Sequence, residues 1–189
     1  MTKLRLGLAL TGSYCSFSKL LAALPELCER FEVTPIFSEN ALKNSRFGDG
    51  DAWKRLLETR CGHTPVTSIQ GAEPLGPSGA LDVIAIVPCT GNTLGKLAHG
   101  ITDTAVTMAA KGHLRNGKPL VIGVSTNDGL ATSAENIGRL LNRRNVYFVP
   151  FRQDDPTQKP TSLSCDYRRL ADAIEAACEG RQIQPVLSP

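Results

Sequence analysis

The segment 81–110 constrains the fold most strongly, because a strand pattern runs there into a small polar loop and then into helix. Residues 82–87 form a short β-branched apolar run, which predicts a strand that is buried on both faces. Pro88 is expected to end that strand, since proline has no N–H to donate to a β-ladder. A strand of this kind is typical of a parallel sheet covered by helices.

The loop 89–93 is made of small residues that carry hydrogen-bonding groups. A helix that begins at Thr93 or Leu94 would leave its first backbone N–H groups directed into this loop, where they favour a bound anion. Asn92 or Thr93 would equally cap an ordinary helix. Taken alone, the loop therefore leaves a ligand site and a plain helix cap open.

Strands and helices alternate along the rest of the chain, which predicts right-handed crossovers between parallel strands. Strand patterns occupy residues 4–10, 31–37, 63–69, 82–87, 119–124 and 146–149, and helical patterns occupy residues 17–28, 51–59, 93–99, 101–112, 133–142 and 167–178. A proline-rich and glycine-rich loop is expected over 71–79. The pattern predicts a three-layer α/β/α fold, Rossmann-like or flavodoxin-like, with a mainly parallel sheet and its βα loops on one edge.

Composition narrows the class of protein. The 189 residues, 41% of them hydrophobic, suit one domain over 1–189. A net charge of +3 with 5% aromatics gives neither the basic stripe nor the stacking surface of a nucleic-acid binder. The six cysteines show no metal-ligand spacing, so we expect reduced thiols and no metal. No apolar run reaches the ~18 residues of a membrane span, and no signal peptide is evident, so we expect a cytoplasmic protein.

Two further loops are predicted to lie beside 89–93. Residues 11–16, after the first strand, have one glycine and several hydroxyls, and match neither GxGxxG nor a Walker loop. Ser38 and Glu39 follow the second strand, where dinucleotide-binding folds usually carry an acidic residue. Each loop taken singly is explained by capping and turn chemistry. Three hydroxyl-rich loops on one edge favour a mononucleotide pocket.

The first loop, TGSYCSFSK, and the segment PCTGNTLGKLAHGITDT together resemble the homo-oligomeric flavin-containing Cys decarboxylase superfamily, whose members bind FMN at such loops. The later segment STNDGLATSAENIGRLLNRRNVYFVPFRQDDPTQKPTSL narrows the resemblance, which covers residues 4–187. It points to a group of subunits that work with a separate NADP-type oxidoreductase subunit to make pyridine-2,6-dicarboxylate during sporulation. The resemblance implies an FMN pocket here, with NADP held by the partner.

Carried over by position, the superfamily's FMN pattern falls on eight residues. They are Gly12, Ser13, Ser16, Ser38, Pro88, Thr90, Asn92 and Thr93. Hydroxyls and loop amides would take the phosphate, and the small residues would let the isoalloxazine ring approach. Asp103 is expected to be a helix cap or subunit contact first, and a ligand contact second. The resemblance also implies a homo-oligomer, with residues 108–110 packed either between subunits or in the core.

The chain departs from the superfamily's decarboxylases. Their catalytic histidine segment is replaced by His63 in CGHTP, and their PxMNxxMW-like clamp by STNDGLA. Two alternatives to a synthase subunit stay open: an autonomous flavin-dependent decarboxylase or prenyltransferase-like enzyme, and a structural subunit with a vestigial nucleotide pocket. His99 and His113 are expected to be solvated or capping, and Cys89 to be an inert buried thiol.

Residues 150–165 are expected to form a ligand or partner loop before a C-terminal helix over 166–180. Arg152 and Lys159 in this loop are candidates to bind a small dicarboxylate, because arginine presents a planar fork and lysine a compact charge. The alternative is a solvated loop whose own acidic residues pair with these cations.

Overall fold

The computed structural model describes residues 2–46 and 48–188. The strands are β1 (Leu4–Leu10), β2 (Phe31–Phe37), β3 (Val83–Cys89), β4 (Leu120–Thr126), β5 (Val146–Phe148), β6 (Phe151–Arg152) and β7 (Leu163–Cys165). The helices are α1 (Phe17–Arg30), α2 (Gly50–Cys61), α3 (Ile69–Ala72), α4 (Gly91–His99), α5 (Ala105–Arg115), α6 (Ala134–Leu141) and α7 (Leu170–Cys178). No helix within the described ranges is long and apolar enough to cross a membrane.

Five strands form a parallel sheet in the order β2-β1-β3-β4-β5. This is the flavodoxin-like order, in which the connections change direction between β1 and β3 and leave a crevice at the carboxyl ends of those strands. The last residues of β4 also pair with β7, and β7 pairs with β6, both antiparallel. The predicted α/β class and mainly parallel sheet are confirmed.

Apolar side chains cover both faces of the sheet. On one face the core contains Leu24 of α1, Leu57 of α2 and Ile174 of α7. On the other face Val106 of α5 and Leu140 of α6 pack against the strands. Every residue of β3 is buried, as expected for a strand with helices on both sides. The three layers leave the loops at the strand ends as the places where polar groups gather.

The expectation that Pro88 ends its strand is wrong. β3 continues through Pro88 to Cys89, and its pairing with β4 shifts register between Ile86 and Cys89. A proline is tolerated within a sheet at such an irregularity, because no ladder N–H is required there.

The following helix begins earlier than predicted. α4 starts at Gly91, and its cap is Thr90 rather than Asn92 or Thr93. The backbone of Thr90 is extended, and its hydroxyl accepts a hydrogen bond from Thr93 N at 3.4 Å. Asn92 and Thr93 are thereby placed in the first turn of the helix.

Other differences concern short elements. In the predicted strand 63–69, only Val66 pairs, through a single parallel bridge to Ile36, and α3 begins at Ile69. The expected loop 71–79 is partly helical, because α3 and a 3-10 turn occupy its start. The segment 150–165 contains β6 and β7, which the sequence did not indicate. Strands of two and three residues are too short to show an alternating pattern.

Candidate functional site

Loop 1 (residues 11–16) and loop 3 (residues 89–93) are joined by one buried threonine. The hydroxyl of Thr11 donates to the carbonyl of Pro88 at 2.7 Å, and accepts from Thr90 N at 3.0 Å. The backbone N–H of Thr11 also donates to Pro88 O at 3.3 Å. Thr11 therefore fixes the two loops across the crevice between β1 and β3.

Loop 2 (residues 38–42) packs against loop 1. Ser38 N donates to Leu10 O at 3.0 Å, and the Ser38 hydroxyl accepts from Ala41 N at 3.3 Å. A Cβ on Gly12 would lie 3.2 Å from the Cβ of Asn40, so only a small residue fits there without displacement. Loops 1, 2 and 3 thus meet at the carboxyl ends of β1, β2 and β3.

A cavity of about 140 Å³ lies where these loops meet. It is lined by Thr11, Gly12, Ser38, Glu39, Asn40, Thr90, Asn92, Thr93, Lys96, Asp103 and Thr104. Five of the eight predicted cofactor residues belong to this lining: Gly12, Ser38, Thr90, Asn92 and Thr93. The lining is dominated by hydroxyl, amide and backbone groups, which suits a phosphate or a polyol.

The first turn of α4 supplies hydrogen-bond donors to this cavity. The N–H of Thr93 is taken by Thr90, while the N–H groups of Gly91 and Asn92 have no acceptor within residues 2–46 and 48–188. The first N–H groups of a helix have no intrahelical partner and carry its positive dipole end. The cavity therefore offers donors to an anion.

Charge in the cavity comes from one lysine and two acidic side chains. Lys96 Nζ lies 2.8 Å from both carboxylate oxygens of Asp103, and the hydrogen bond from Lys96 lowers the pKa of Asp103. Asp103 does not cap a helix, because Thr104 caps α5 in a reciprocal arrangement with Thr107. Asp103 and Lys96 instead form an ion pair on the cavity wall. The other expected roles of Asp103, a subunit contact or a ligand contact, stay predictions.

The two serines of loop 1, which do not line the cavity, contact the end of β4. The hydroxyls of Ser13 and Ser16 lie 2.8 Å and 2.7 Å from the hydroxyl of Ser125. Ser13 and Ser16 are therefore next to the cavity rather than in its lining, as is Pro88, whose carbonyl binds Thr11. Ser125 is a polar residue of this edge that the sequence reasoning missed.

Loop 4 (residues 126–133) forms a further wall of the same edge. Its Asp128 carboxylate accepts hydrogen bonds from the hydroxyls of Thr126 and Ser133. A Cβ on Gly91 would lie 2.7 Å from Ser133 Oγ and 3.0 Å from Asp128 Oδ1, so loops 3 and 4 are in direct contact. The run of polar residues directly after β4 was the signal for this loop, because the same βα rule applies to every parallel strand.

None of the three histidines lines the cavity. His63 Nε2 lies 3.3 Å from Glu32 near the start of β2, at the opposite edge of the sheet. His99 is exposed, with its Nδ1 2.9 Å from Gly95 O. The expectation that His113 is solvated or capping is wrong, because it is 2% exposed, and burial lowers its pKa to about 4.

The thiols and acidic groups of the described residues form no cluster of three or more that would hold a metal ion. Cys89 is fully buried, and burial raises its pKa despite its place next to the start of α4. Met108 packs against the core, and Ala109 and Ala110 are buried within it, so these residues have core partners in a single chain.

A second cavity, of about 380 Å³, lies beside the β6 and β7 strands. It is lined by Lys19, Ala22, Arg152, Asp154, Ser164, Cys165, Asp166, Tyr167 and Arg168. Arg168 is paired with the buried carboxylate of Asp166, at 2.8 Å. Lys159 does not line this cavity, and its backbone N–H closes a turn onto Asp155 O. The structure thus brings Arg152 together with Lys19 and Arg168 rather than with Lys159.

Comparisons with known proteins relate this chain to proteins that share its fold. The model of a family described as Flavoprotein matches residues 1–177. The chain belongs to this family. This flavoprotein chain is 43% identical over 185 residues to the B subunit of dipicolinate synthase from Bacillus subtilis (strain 168). That match covers 97% of the chain and 92% of the relative.

Solved structures place this flavoprotein chain in the same group. The crystal structure of the dipicolinate synthase B subunit from Bacillus halodurans C is 40% identical, with a TM-score of 0.90 over 100% of this chain and 99% of that one. A dodecameric FMN-dependent Ubix-like decarboxylase from Escherichia coli O157:H7 is 23% identical, with a TM-score of 0.61, covering 78% and 80% of the two chains. At that identity the likeness concerns the fold.

These findings confirm the resemblance that the sequence motifs indicated. The family is Flavoprotein, and the narrower similarity is to dipicolinate synthase B subunits, dipicolinate being pyridine-2,6-dicarboxylate. Membership of the Flavoprotein family supports a role that involves a flavin.

Proposed function

We propose that this chain is the B subunit of a dipicolinate synthase, and that it contributes an FMN pocket and a dicarboxylate-binding surface to NADP-linked formation of pyridine-2,6-dicarboxylate during sporulation. The observation that carries the proposal is the convergence of loops 1, 2 and 3 on one hydroxyl-lined cavity at the β1/β3 crevice. The homology to the B subunit of the Bacillus subtilis synthase supports the choice of reaction.

The residues of this edge fit the phosphate and ribityl parts of FMN. Ser38, Thr90 and Thr93 offer hydroxyls, and the N–H groups of Gly91 and Asn92 are available to an anion. Ser13 and Ser16 would bind the phosphate from loop 1 by exchanging their contact with Ser125 for one with the ligand. FMN, when bound, supplies a two-electron acceptor that the chain's own side chains lack.

The isoalloxazine ring would lie outside the cavity. A volume of about 140 Å³ is below the roughly 300–1,000 Å³ of pockets that enclose a whole cofactor-sized ligand. Gly91 and loop 4 form the adjoining wall, where the side chains of loop 4 pack directly against Gly91.

A titration with FMN tests the cofactor pocket. The purified chain is expected to quench flavin fluorescence, and Thr93→Val is expected to weaken binding about 10- to 100-fold, since a hydrogen bond to a charged group contributes about 1.5–3 kcal/mol. Thr59→Val, on the exposed surface of α2, is the matched control. A chain that takes up no FMN but still activates its partner would support a purely structural role and contradict the proposal.

The partner, an oxidoreductase that forms the A subunit of the synthase, is proposed to hold NADP, because the loops of this chain match no dinucleotide fingerprint. Product formation from a dihydrodipicolinate-type substrate is expected only when both subunits and NADP are present. Turnover of a substrate by the isolated chain with FMN would instead favour an autonomous decarboxylase or prenyltransferase-like enzyme.

Arg152 is proposed to bind one carboxylate of the small dicarboxylate from the 380 Å³ cavity, and Lys159, which lies outside that lining, is proposed to contact the other. Arg152 lines the 380 Å³ cavity together with Lys19, and Lys159 lies in the turn that begins at Asp155, within the same 150–165 segment. The double variant Arg152→Gln and Lys159→Gln is expected to raise the KM of the reconstituted complex at least 10-fold with FMN binding unchanged. The exposed Arg139→Gln on α6 is the control. An unchanged KM would remove the dicarboxylate role without touching the cofactor pocket.

A further inference from the structure

Two cysteines on neighbouring helices lie side by side, away from the candidate cofactor site. The sulfur of Cys28 in α1 is 4.0 Å from the sulfur of Cys61, the last residue of α2. Both side chains are partly exposed, and both are free thiols. The sulfurs of a disulfide lie about 2 Å apart, so these two need an approach of about 2 Å, which is within reach of side-chain rotation.

An open recess gives small molecules access to this pair. The recess has a volume of about 410 Å³, and Cys28 and Cys61 line it together with Lys3, Arg60 and Glu32. Glu32 is already 3.3 Å from His63, while Lys3 holds the carbonyl of Cys28 at 2.8 Å. The two cations favour an anionic molecule in the recess.

We propose that Cys28 and Cys61 form a thiol pair that exchanges with a small anionic disulfide such as oxidised glutathione, and closes into a disulfide that joins α1 to α2. Nothing in this proposal depends on the flavin or on the partner protein. It assigns a covalent modification site to a surface that the proposed function does not use.

The exchange proceeds in two balanced steps. The Cys28 thiolate attacks one sulfur of the small disulfide, which forms a mixed disulfide and releases one small thiolate. The Cys61 thiolate then attacks the Cys28 sulfur and releases the second small thiolate. Two protein thiols are oxidised, one small disulfide is reduced to two thiols, and the protons from Cys28 and Cys61 end on the released thiols.

The order of attack follows from the surroundings of the two thiols. Burial and the neighbouring Cys28 raise the pKa of Cys61 to about 12, so Cys61 is protonated at neutral pH and reacts second. Once Cys28 is in the mixed disulfide, the sulfurs are held close together, and this proximity raises the effective concentration of the resolving thiol.

The cross-link closes a ring between residues 33 positions apart. A ring of this size restricts the unfolded chain, so the melting temperature is expected to rise by roughly 5–10 °C on oxidation and to return on reduction. α1 follows loop 1 and α2 follows loop 2, so the disulfide would tie together the helices behind two loops of the candidate site.

Peptide mapping of the full-length chain tests the proposal. The chain is incubated with excess oxidised glutathione, its remaining thiols are alkylated with N-ethylmaleimide, and it is digested without reductant. Cleavage after Lys19, Arg30 and Arg60 separates the two cysteines, and fragmentation distinguishes Cys61 from Cys89 in the same peptide. A Cys28–Cys61 cross-link is expected as the main internal disulfide. The exposed Cys15 is the positive control, because its mixed disulfide with glutathione shows that the reagent was active.

Variants provide the matched comparison. Cys28→Ser is expected to abolish the cross-link and the rise in melting temperature, whereas Cys178→Ser, a partly buried thiol elsewhere in the chain, leaves both unchanged. The proposal would be overturned if Cys28 and Cys61 were recovered as alkylated thiols or as two separate mixed disulfides while Cys15 was fully modified. The peptide map of the unsubstituted chain shows whether the Cys28–Cys61 cross-link forms, and this test does not depend on how well a variant folds.

Discussion

His113 is the residue whose environment departs furthest from what its type suggests. It lies in the last turn of α5 with 2% of its surface exposed, and its Nε2 has no hydrogen-bond partner within residues 2–46 and 48–188. Burial lowers its pKa to about 4, and the nearby Lys118 acts in the same direction, while Asp82 partly opposes it. The folded protein therefore holds this imidazole in its neutral form.

This burial makes stability depend on pH. Between pH about 6.5 and 4, the unfolded chain binds a proton on His113 that the folded chain does not, so the free energy of unfolding falls as the pH falls through this window. The loss is expected to reach about 3 kcal/mol, at 1.36 kcal/mol per pKa unit. His113→Leu should flatten the dependence, measured by urea unfolding at several pH values.

The exposed His99→Leu is the control for this prediction, because it changes a histidine without changing a buried group. An equal slope in the His113→Leu variant would mean that another group titrates in the window. Asp82, whose pKa Arg5 lowers to about 2 through a hydrogen bond, contributes only at lower pH.

At the scale of elements, the contact between α4 and loop 4 depends on a glycine. A Cβ on Gly91 would lie within 3.0 Å of Ser133 Oγ, Thr126 Oγ1 and Asp128 Oδ1, so an alanine forces these three hydrogen-bonded side chains of loop 4 to shift. Gly91→Ala is expected to lower the free energy of unfolding by about 1–3 kcal/mol, the usual result of overpacking, and to weaken FMN binding. Chemical denaturation and the FMN titration measure the two effects.

Gly95, one turn later in α4, offers a matched control. A Cβ there would lie 3.6 Å from Asn136 Nδ2, an ordinary contact. Gly95→Ala is expected to leave stability unchanged or raise it by up to about 1 kcal/mol, because alanine favours helix. Equal behaviour of the two variants would show that the close approach at Gly91 is not what holds loop 3 in place.

The sequence predicted long elements well and short ones poorly. Strands β1 to β4 and helices α1, α5 and α7 show several periods of apolar residues, so their patterns identified them. β6 and β7 owe their pairing to neighbouring strands, and Val66 pairs only through Pro35 O and Phe37 N, so their local sequence shows no such pattern. Tertiary contacts decided these places.

The candidate site was predicted to a similar extent. Hydroxyl-rich loops after strands identified Gly12, Ser38 and Thr90 as neighbours, because parallel strands bring their carboxyl ends to one edge. The role of Thr11 as the link to Pro88, and the ion pair of Lys96 with Asp103, depend on side-chain directions that spacing does not reveal.

At the scale of the whole molecule, exposed apolar side chains near the small cavity favour association of several copies of the chain. Leu130 in loop 4 is 52% exposed, and Ile101, two residues from the cavity-lining Asp103, is 48% exposed. Large apolar side chains exposed next to a candidate site that is too small to enclose the whole of the proposed FMN favour an interface between copies of the chain.

We therefore expect a homo-oligomer in solution, measured as a mass several times that of the 20.3 kDa chain by analytical ultracentrifugation. Leu130→Asp is expected to shift the mass toward the monomer and to weaken FMN binding, because a buried unpaired carboxylate at an interface is costly. Leu141→Asp is the control, since Leu141 is 48% exposed at the far end of α6 from loop 4. Two results together would contradict this prediction: a monomeric wild-type chain, and equal affinity for FMN in the wild-type chain and the Leu130→Asp variant. The pocket would then be complete within one copy.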